Sequence, residues 1–460
     1  MKAKLFSLLI LVSWTHLLKA EVTLPDIFSD NMVLQRNTEV SFWGWGNINE
    51  EVTITTGWDQ KQYTVKTPLD TKWKVLITTP EAGGPYEIRI KGENEIVLQN
   101  VLVGEVWLCS GQSNMEWSAT TNAGIDNAEE EIRNADYPNI RLLTIPKRTS
   151  RFPQESVPGN WEVCSPDTMK DFSAVAYLFA RRLQGELNVP IGLIDNAWGG
   201  TPAEVWTPVS VFEGYGDLKA AAEAVKDNRW SPGFPAALYN AMVHPIVPFK
   251  IAGTLWYQGE SNTANPNTYA KLFSKMVGSW REAWGYEFPF YYVQIAPYKY
   301  GTEEVGVLIR DQQRRALEMI PRSGMVVTSD IATIDDIHPP NKQDVGLRLA
   351  NIALKDHYIK IEGSVHSPLF RKMVIQGRRV EIFFDNAEGL FSKGKKITHF
   401  EMAGNDGQFY PAKAIIKDDK IILSSKEVKA PGKVRYAWDN IAEPNLFSGA
   451  GLPVSCFTSD

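Results

Sequence analysis

The sequence predicts an α/β protein in which a doubly wound parallel sheet is preceded and followed by antiparallel β regions. Three observations predict it. Short apolar runs at 101–108, 191–194, 251–256 and 325–328 read as buried strands, each followed closely by a loop rich in glycine or polar residues. Helical spacing alternates with such runs in the middle of the 460-residue chain. Period-two alternation dominates on either side of that middle region.

The first twenty residues have a different character. Lys2 and Lys4 precede an apolar run at 5–12 that is too short to span a bilayer, Ser13, Thr15 and His16 interrupt it, and Ala20 offers a small residue for cleavage. Residues 1–20 therefore read as a secretory signal peptide rather than an anchor, and the mature chain as exported, periplasmic or secreted. No later segment is long and apolar enough to be a spanning helix.

Without its leader the chain carries a formal charge of −9, which disfavours nucleic acid as a partner. About 440 residues remain, enough for two or three domains. Cys109, Cys164 and Cys456 allow at most one internal disulfide, and no Cys or His pair has metal-ligand spacing, so no metal or other cofactor is expected.

Residues 21–103 are expected to form a small β-sandwich. Val52, Ile54, Tyr63, Val65, Trp73, Val75, Ile77, Tyr86, Ile88 and Ile90 recur at every second position, separated by turns such as Gly83-Gly84-Pro85. Gly44-Trp45-Gly46 lacks the third glycine and following helix of a dinucleotide fingerprint.

Residues 104–360 carry the β-α-β rhythm. A helix is expected at about 173–187, before the strand at 191. Asn265-Pro266 opens another, in which Tyr269, Leu272, Phe273, Met276, Val277 and Trp280 share a face and which Gly285 closes. A strand at 288–295 follows, and a last helix at about 343–357 comes after the strand at 325–328. Alternation returns over 361–460, where the pattern does not say whether the strands stand alone or complete the N-terminal sandwich.

Chemistry collects at the carboxyl ends of parallel strands, so four loops are expected to converge: Gly111-Gln112-Ser113-Asn114-Met115, Trp198-Gly199-Gly200-Thr201, Tyr257-Gln258-Gly259-Glu260-Ser261-Asn262 and Asp335-Asp336-Ile337-His338-Pro339. Ser113 follows a strand on a turn that can lift its hydroxyl and aim its N–H at a substrate, although a serine there also serves as a helix N-cap. Met115 stands where a G-x-S-x-G elbow needs glycine, which disfavours an α/β-hydrolase. Of the six histidines, only His338 sits beyond a strand end beside carboxylates that can fix its tautomer. Gly199, Gly200 and Gln258 can donate to an oxyanion or simply form turns, and Glu260 can bind sugar hydroxyls or brace its loop. Trp107, Trp117, Trp198, Trp206 and Trp256 flank these loops; most belong to the core, with one or two facing the pocket.

Gly104-Glu105-Val106-Trp107 through Glu116-Trp117, with Trp256 to Asn262 and Asp336-Ile337-His338-Pro339, resembles the sialate O-acetylesterase group of the SGNH (GDSL-type) hydrolases. The resemblance extends over nearly the whole mature chain, including Val434-Arg435-Tyr436-Ala437-Trp438 and Gly451-Leu452-Pro453. It implies a flavodoxin-like sheet and a serine esterase that removes acetyl groups from sugars. It further implies Ser113 as nucleophile, His338 as base, an oxyanion hole from Ser113, Gly200 and Gln258, and substrate contacts from Asn114, Trp198, Gly199 and Glu260. Gln112 replaces the usual aspartate of the first block and Gln258 the usual asparagine of a later one. The acid stays open between Asp335, which fits the general D-x-x-H register, and Asp336, which fits the subgroup's D-I-H-P motif. The expected partner is an O-acetylated sugar, with acetylated xylan or xyloglucan as the alternative to sialic acid. A carbohydrate-binding protein with a degenerate centre and a metal-dependent deacetylase are the rival classes.

Overall fold

A computed structural model describes residues 21–460, and the expected signal peptide lies outside the described residues. One strand organises the molecule. Glu95–Gly111 is 17 residues long. Its first half pairs antiparallel with Gly83–Lys91 and in parallel with Val33–Gln35, and its second half pairs in parallel with Ile191–Ala197 on one side and Gly253–Tyr257 on the other. From Val101 onward every residue of this strand is buried, because both faces are covered, and so its sequence is predominantly apolar instead of alternating, with Glu105 and Ser110 as buried polar exceptions. The boundary expected at 103/104 falls inside it.

The sheet runs Ser323–Val326, Phe290–Val293, Gly253–Tyr257, Glu95–Gly111, Ile191–Ala197, Tyr137–Thr144, all parallel, with the short Glu162–Cys164 antiparallel at one edge. Strands up to Ile191–Ala197 lie on one side of Glu95–Gly111, and those from Gly253–Tyr257 onward on the other. Reversal of strand order opens a crevice at the carboxyl end of the central strand. The residues expected to carry chemistry meet there.

Helices cover both faces. Ala174–Leu187, capped by the Ser173 side chain, packs with Lys342–Ile352, capped by Asn341, over one face. Lys342–Ile352 continues into the wider turn Ala353–His357. On the other face, Tyr269–Trp284 buries Tyr269, Leu272, Phe273, Met276, Val277 and Trp280, as its spacing predicts, and ends at Gly285 with φ 78°. It packs on Val305–Ala316, which was not anticipated because Arg310, Asp311, Gln313 and Arg314 are buried and blur its apolar stripe.

Glu39–Trp45 pairs with Lys72–Thr78 as a second layer over the N-terminal strands, and Val40, Phe42, Trp73 and Ile77 share one core with Val52, Ile54, Ile88 and Ile90. The C-terminal strands form their own antiparallel sheets, one of Leu369–Gln376, Arg379–Asp385, Lys420–Ser424 and Lys413–Lys417, another of Phe409–Pro411, Phe400–Ala403, Lys433–Tyr436 and Phe457–Thr458. Among the described residues none of them pairs with the N-terminal strands. Cys109, Cys164 and Cys456 are buried free thiols.

Candidate active site

Gly111 ends the central strand in a conformation that only glycine takes easily. At φ 144°, an added Cβ would lie 2.2 Å from the Tyr257 carbonyl oxygen of the neighbouring strand. The chain then turns into the single-turn helix Ser113–Glu116, which leaves Ser113 half-buried at its start with a backbone N–H that has no helical partner. Gln112 braces the turn from behind, its side-chain oxygen accepting from the N–H groups of Gly259 at 3.3 Å and Ser261 at 3.2 Å.

Ser113 Oγ lies 2.9 Å from His338 Nε2. On the other side of the ring, Asp336 Oδ1 is 3.5 Å from Nδ1 and accepts the backbone N–H of His338 at 2.9 Å. Asp335 is exposed and makes no contact with the ring, so Asp336 is the acid that reaches the histidine. Trp117 stacks under the imidazole with ring centroids 4.1 Å apart and planes 19° from parallel. Burial lowers the His338 pKa from its ordinary value, the Lys342 cation lowers it further, and Asp336 opposes both. A histidine so placed is neutral near pH 7 and able to take a proton.

The backbone N–H groups of Ser113 and of Gly200, the residue after the glycine packed on Ser113, have no hydrogen-bond partner among the described residues. Gly200 sits at φ 79°, and the preceding turn packs on the serine, since a Cβ on Gly199 would come within 3.2 Å of Ser113 Cβ. Glu116 fixes this turn by accepting the Gly199 N–H at 2.6 Å, while Lys147 pairs with its other oxygen. Gly199 therefore has no donor left for a ligand.

Gln258 departs from expectation. It is fully buried, with Nε2 donating to Thr201 O at 3.2 Å and Asn262 Oδ1 at 2.7 Å, and Oε1 accepting from Tyr269 at 3.0 Å. Both amide protons are committed, so the donor expected to face an oxyanion is not free here, and the side chain acts as a brace joining two site loops. Asn114 likewise makes no outward contact. Completely buried, it donates to Glu260 Oε1 at 2.7 Å and Ile337 O at 3.0 Å, and accepts from Lys342 Nζ at 2.6 Å. Glu260 is only 6% exposed, its Oε2 has no partner, and burial raises its pKa.

Trp198 is half-buried at the rim, whereas Trp107, Trp206 and Trp256 belong to the core. The sequence reading missed three residues. Glu116 stood inside the motif that carries the resemblance, but nothing there assigned it a role. Trp230, 61% exposed in an irregular loop, has its Cβ 2.8 Å from the position of a Cβ on Gly200 and stands beside the site. Lys342 did leave a trace, because it falls in phase with Val345, Leu349 and Ile352 on the buried stripe of its helix.

Serine, histidine and carboxylate lie in line at the carboxyl end of a parallel sheet, an arrangement of the class found in α/β hydrolytic enzymes. The comparisons make this particular. Residues 103–355 match the profile of the carbohydrate esterase, sialic acid-specific acetylesterase family, and the chain belongs to that family, whose members are hydrolases acting on esters. It is 32% identical to the sialate O-acetylesterase of Homo sapiens over 70% of this chain and 68% of that protein, and 30% identical to that of Rattus norvegicus over 89% and 88%. A crystal structure of a carbohydrate acetylesterase from Xanthomonas citri superposes with a TM-score of 0.88 at 35% identity, covering 96% of this chain and all of that one. Among the described residues no helix is long and apolar enough to cross a membrane.

Proposed function

We propose that this protein hydrolyses O-acetyl esters of sialic acid through Ser113 and His338. The observation that carries this reading is the 2.9 Å approach of Ser113 Oγ to His338 Nε2, beside N–H groups with no other partner. With its proton on Nδ1, His338 takes the Ser113 proton at Nε2 as Oγ attacks the acetyl carbonyl. The resulting oxyanion is held by the N–H groups of Ser113 and Gly200. His338 returns the proton to the sugar oxygen as the C–O bond breaks, and water, deprotonated by the same nitrogen, releases acetate from Ser113. Asp336 steadies the imidazolium from the Nδ1 side. Half-buried Trp198 and exposed Trp230 flank the serine as surfaces for the sugar ring.

The central sheet is read as an SGNH-type hydrolase core, with residues 21–103 and 361–460 as accessory β regions. The strand order and the positions of Ser113, Gly200 and His338 beyond the carboxyl ends of three parallel strands of one sheet support this. The leader pattern at 1–20 supports export, with the activity in the periplasm or the medium.

Acetate release from O-acetylated sialic acids, with acetylated xylo-oligosaccharides alongside, is the test. Ser113→Ala and His338→Ala should each lower kcat by several orders of magnitude, and the double variant should be little worse than either single one. Additive losses would show that the two residues do not share a step. Activity confined to the xylo-oligosaccharides would refute the sialate assignment while leaving the serine mechanism standing.

A further inference from the structure

Lys342 is a lysine with no access to solvent, lying beneath the catalytic dyad. Burying a cation is costly unless it is matched, so its surroundings need an explanation. Its Nζ donates to Asn114 Oδ1 at 2.6 Å. Through its own amide, Asn114 then reaches Ile337 O on the histidine loop at 3.0 Å and Glu260 Oε1 on the Gln258 loop at 2.7 Å. Asn114 directly follows the nucleophile and Ile337 directly precedes the base, so one side chain spans the two loops whose spacing sets the Ser113–His338 distance. The ammonium lies 6.0 Å from the centroid of Trp117, the ring on which His338 stacks, and 5.6 Å from that of Tyr257.

We propose that Lys342 is a positioning residue of the ester-cleaving site: through Asn114 it holds the serine and histidine loops in register, and it sets a positive charge under the imidazole. The inference rests on the reading of Ser113 and His338 as nucleophile and base. The charged and titratable groups facing this pair are Asp336, Glu260 and Tyr257. Desolvation lowers the Lys342 pKa to about 7, while Glu260 and Asp336 raise it, so below neutrality the cation is present. That is the range in which His338 titrates, since its pKa is lowered from 6.5. The sign follows. The cation opposes protonation of His338, keeps the base free to lower pH, and places the acid limb of kcat/KM below the ordinary histidine value.

The experiment measures kcat, KM and the pH dependence of kcat/KM on an O-acetylated sialic acid for the wild type, Ser113→Ala, Lys342→Met and Lys342→Arg, with circular dichroism as the check on folding. Lys342→Met removes both the charge and the bond to Asn114. Its kcat should fall roughly tenfold to a hundredfold with KM little changed, as expected when reacting atoms lose their alignment. Its acid limb should move up by about half a pH unit, because the cation no longer opposes the imidazolium. Lys342→Arg keeps a charge in a different shape, and should lower kcat while leaving the limb in place. A folded Lys342→Met with wild-type kcat, or with an unmoved acid limb, overturns the proposal. If Lys342→Met does not fold, Lys342→Arg decides: an unaltered kcat or a limb displaced by half a unit overturns it. Retained activity in Ser113→Ala would instead defeat the underlying reading of the site.

Discussion

At the scale of single residues, the two adjacent aspartates show how far spacing alone can carry an assignment. Both Asp335 and Asp336 fitted a motif, and neighbouring side chains on an extended segment point in different directions. Only Asp336 comes near Nδ1 of His338, and at 3.5 Å with 58% of its side chain exposed it holds the ring less firmly than a buried carboxylate could. Asp336→Asn should therefore lower kcat by roughly tenfold to a hundredfold, less than removal of the base itself. Asp335→Asn should stay within about twofold, as a surface carboxylate remote from the ring. Steady-state kinetics of the two variants decide it, and equal losses would mean that the loop, not one acid, orients His338. The same scale shows why Gln258 was misjudged. Composition reveals that an amide is present, but not that Thr201, Asn262 and Tyr269 already use it.

Among the secondary-structure elements, position came through more faithfully than detail. The strands at the four loops and the helix Tyr269–Trp284 were legible because an apolar run or stripe of sufficient length has few other solutions in water. Val305–Ala316 was hidden by charges that are matched only in three dimensions, as when Arg310 donates to the carbonyls of Asp439 and Asn440 about 130 residues away. The Ser113 turn was visible as a glycine-bounded motif, but not its dependence on close strand packing. Gly111→Ala tests that dependence. The new methyl group would meet backbone of Gly253–Tyr257, not a movable side chain, at a φ that alanine resists. A loss of about 2 kcal/mol or more in stability is expected, with kcat falling as Ser113 is displaced. Chemical denaturation and kinetics on one preparation measure both. Unchanged stability would mean that the neighbouring strand yields easily.

For the whole molecule, the strand Glu95–Gly111 ties the N-terminal sandwich to the chemistry. Its first half completes the sandwich through Gly83–Lys91 and Val33–Gln35, and its second half ends at the turn that carries Ser113. The hydrophobic core is shared in the same way, since Phe28 packs on Phe249 and Trp161 reaches Ile27 O through its indole N–H at 2.9 Å. Removing residues 21–94 would strip the pairing partners from half of the central strand and expose Val101, Leu102 and Trp161, all now buried. Apolar area on that scale, at about 25 cal/mol per Å², is comparable to the stability margin of an ordinary domain. The shortened chain should therefore fail to accumulate as a soluble, cooperatively unfolding protein. Expression of residues 95–460 with circular dichroism and acetate release checks this. A folded and active product would show that the sandwich is an attached module, and that the sheet's own helices suffice to hold Ser113 against His338.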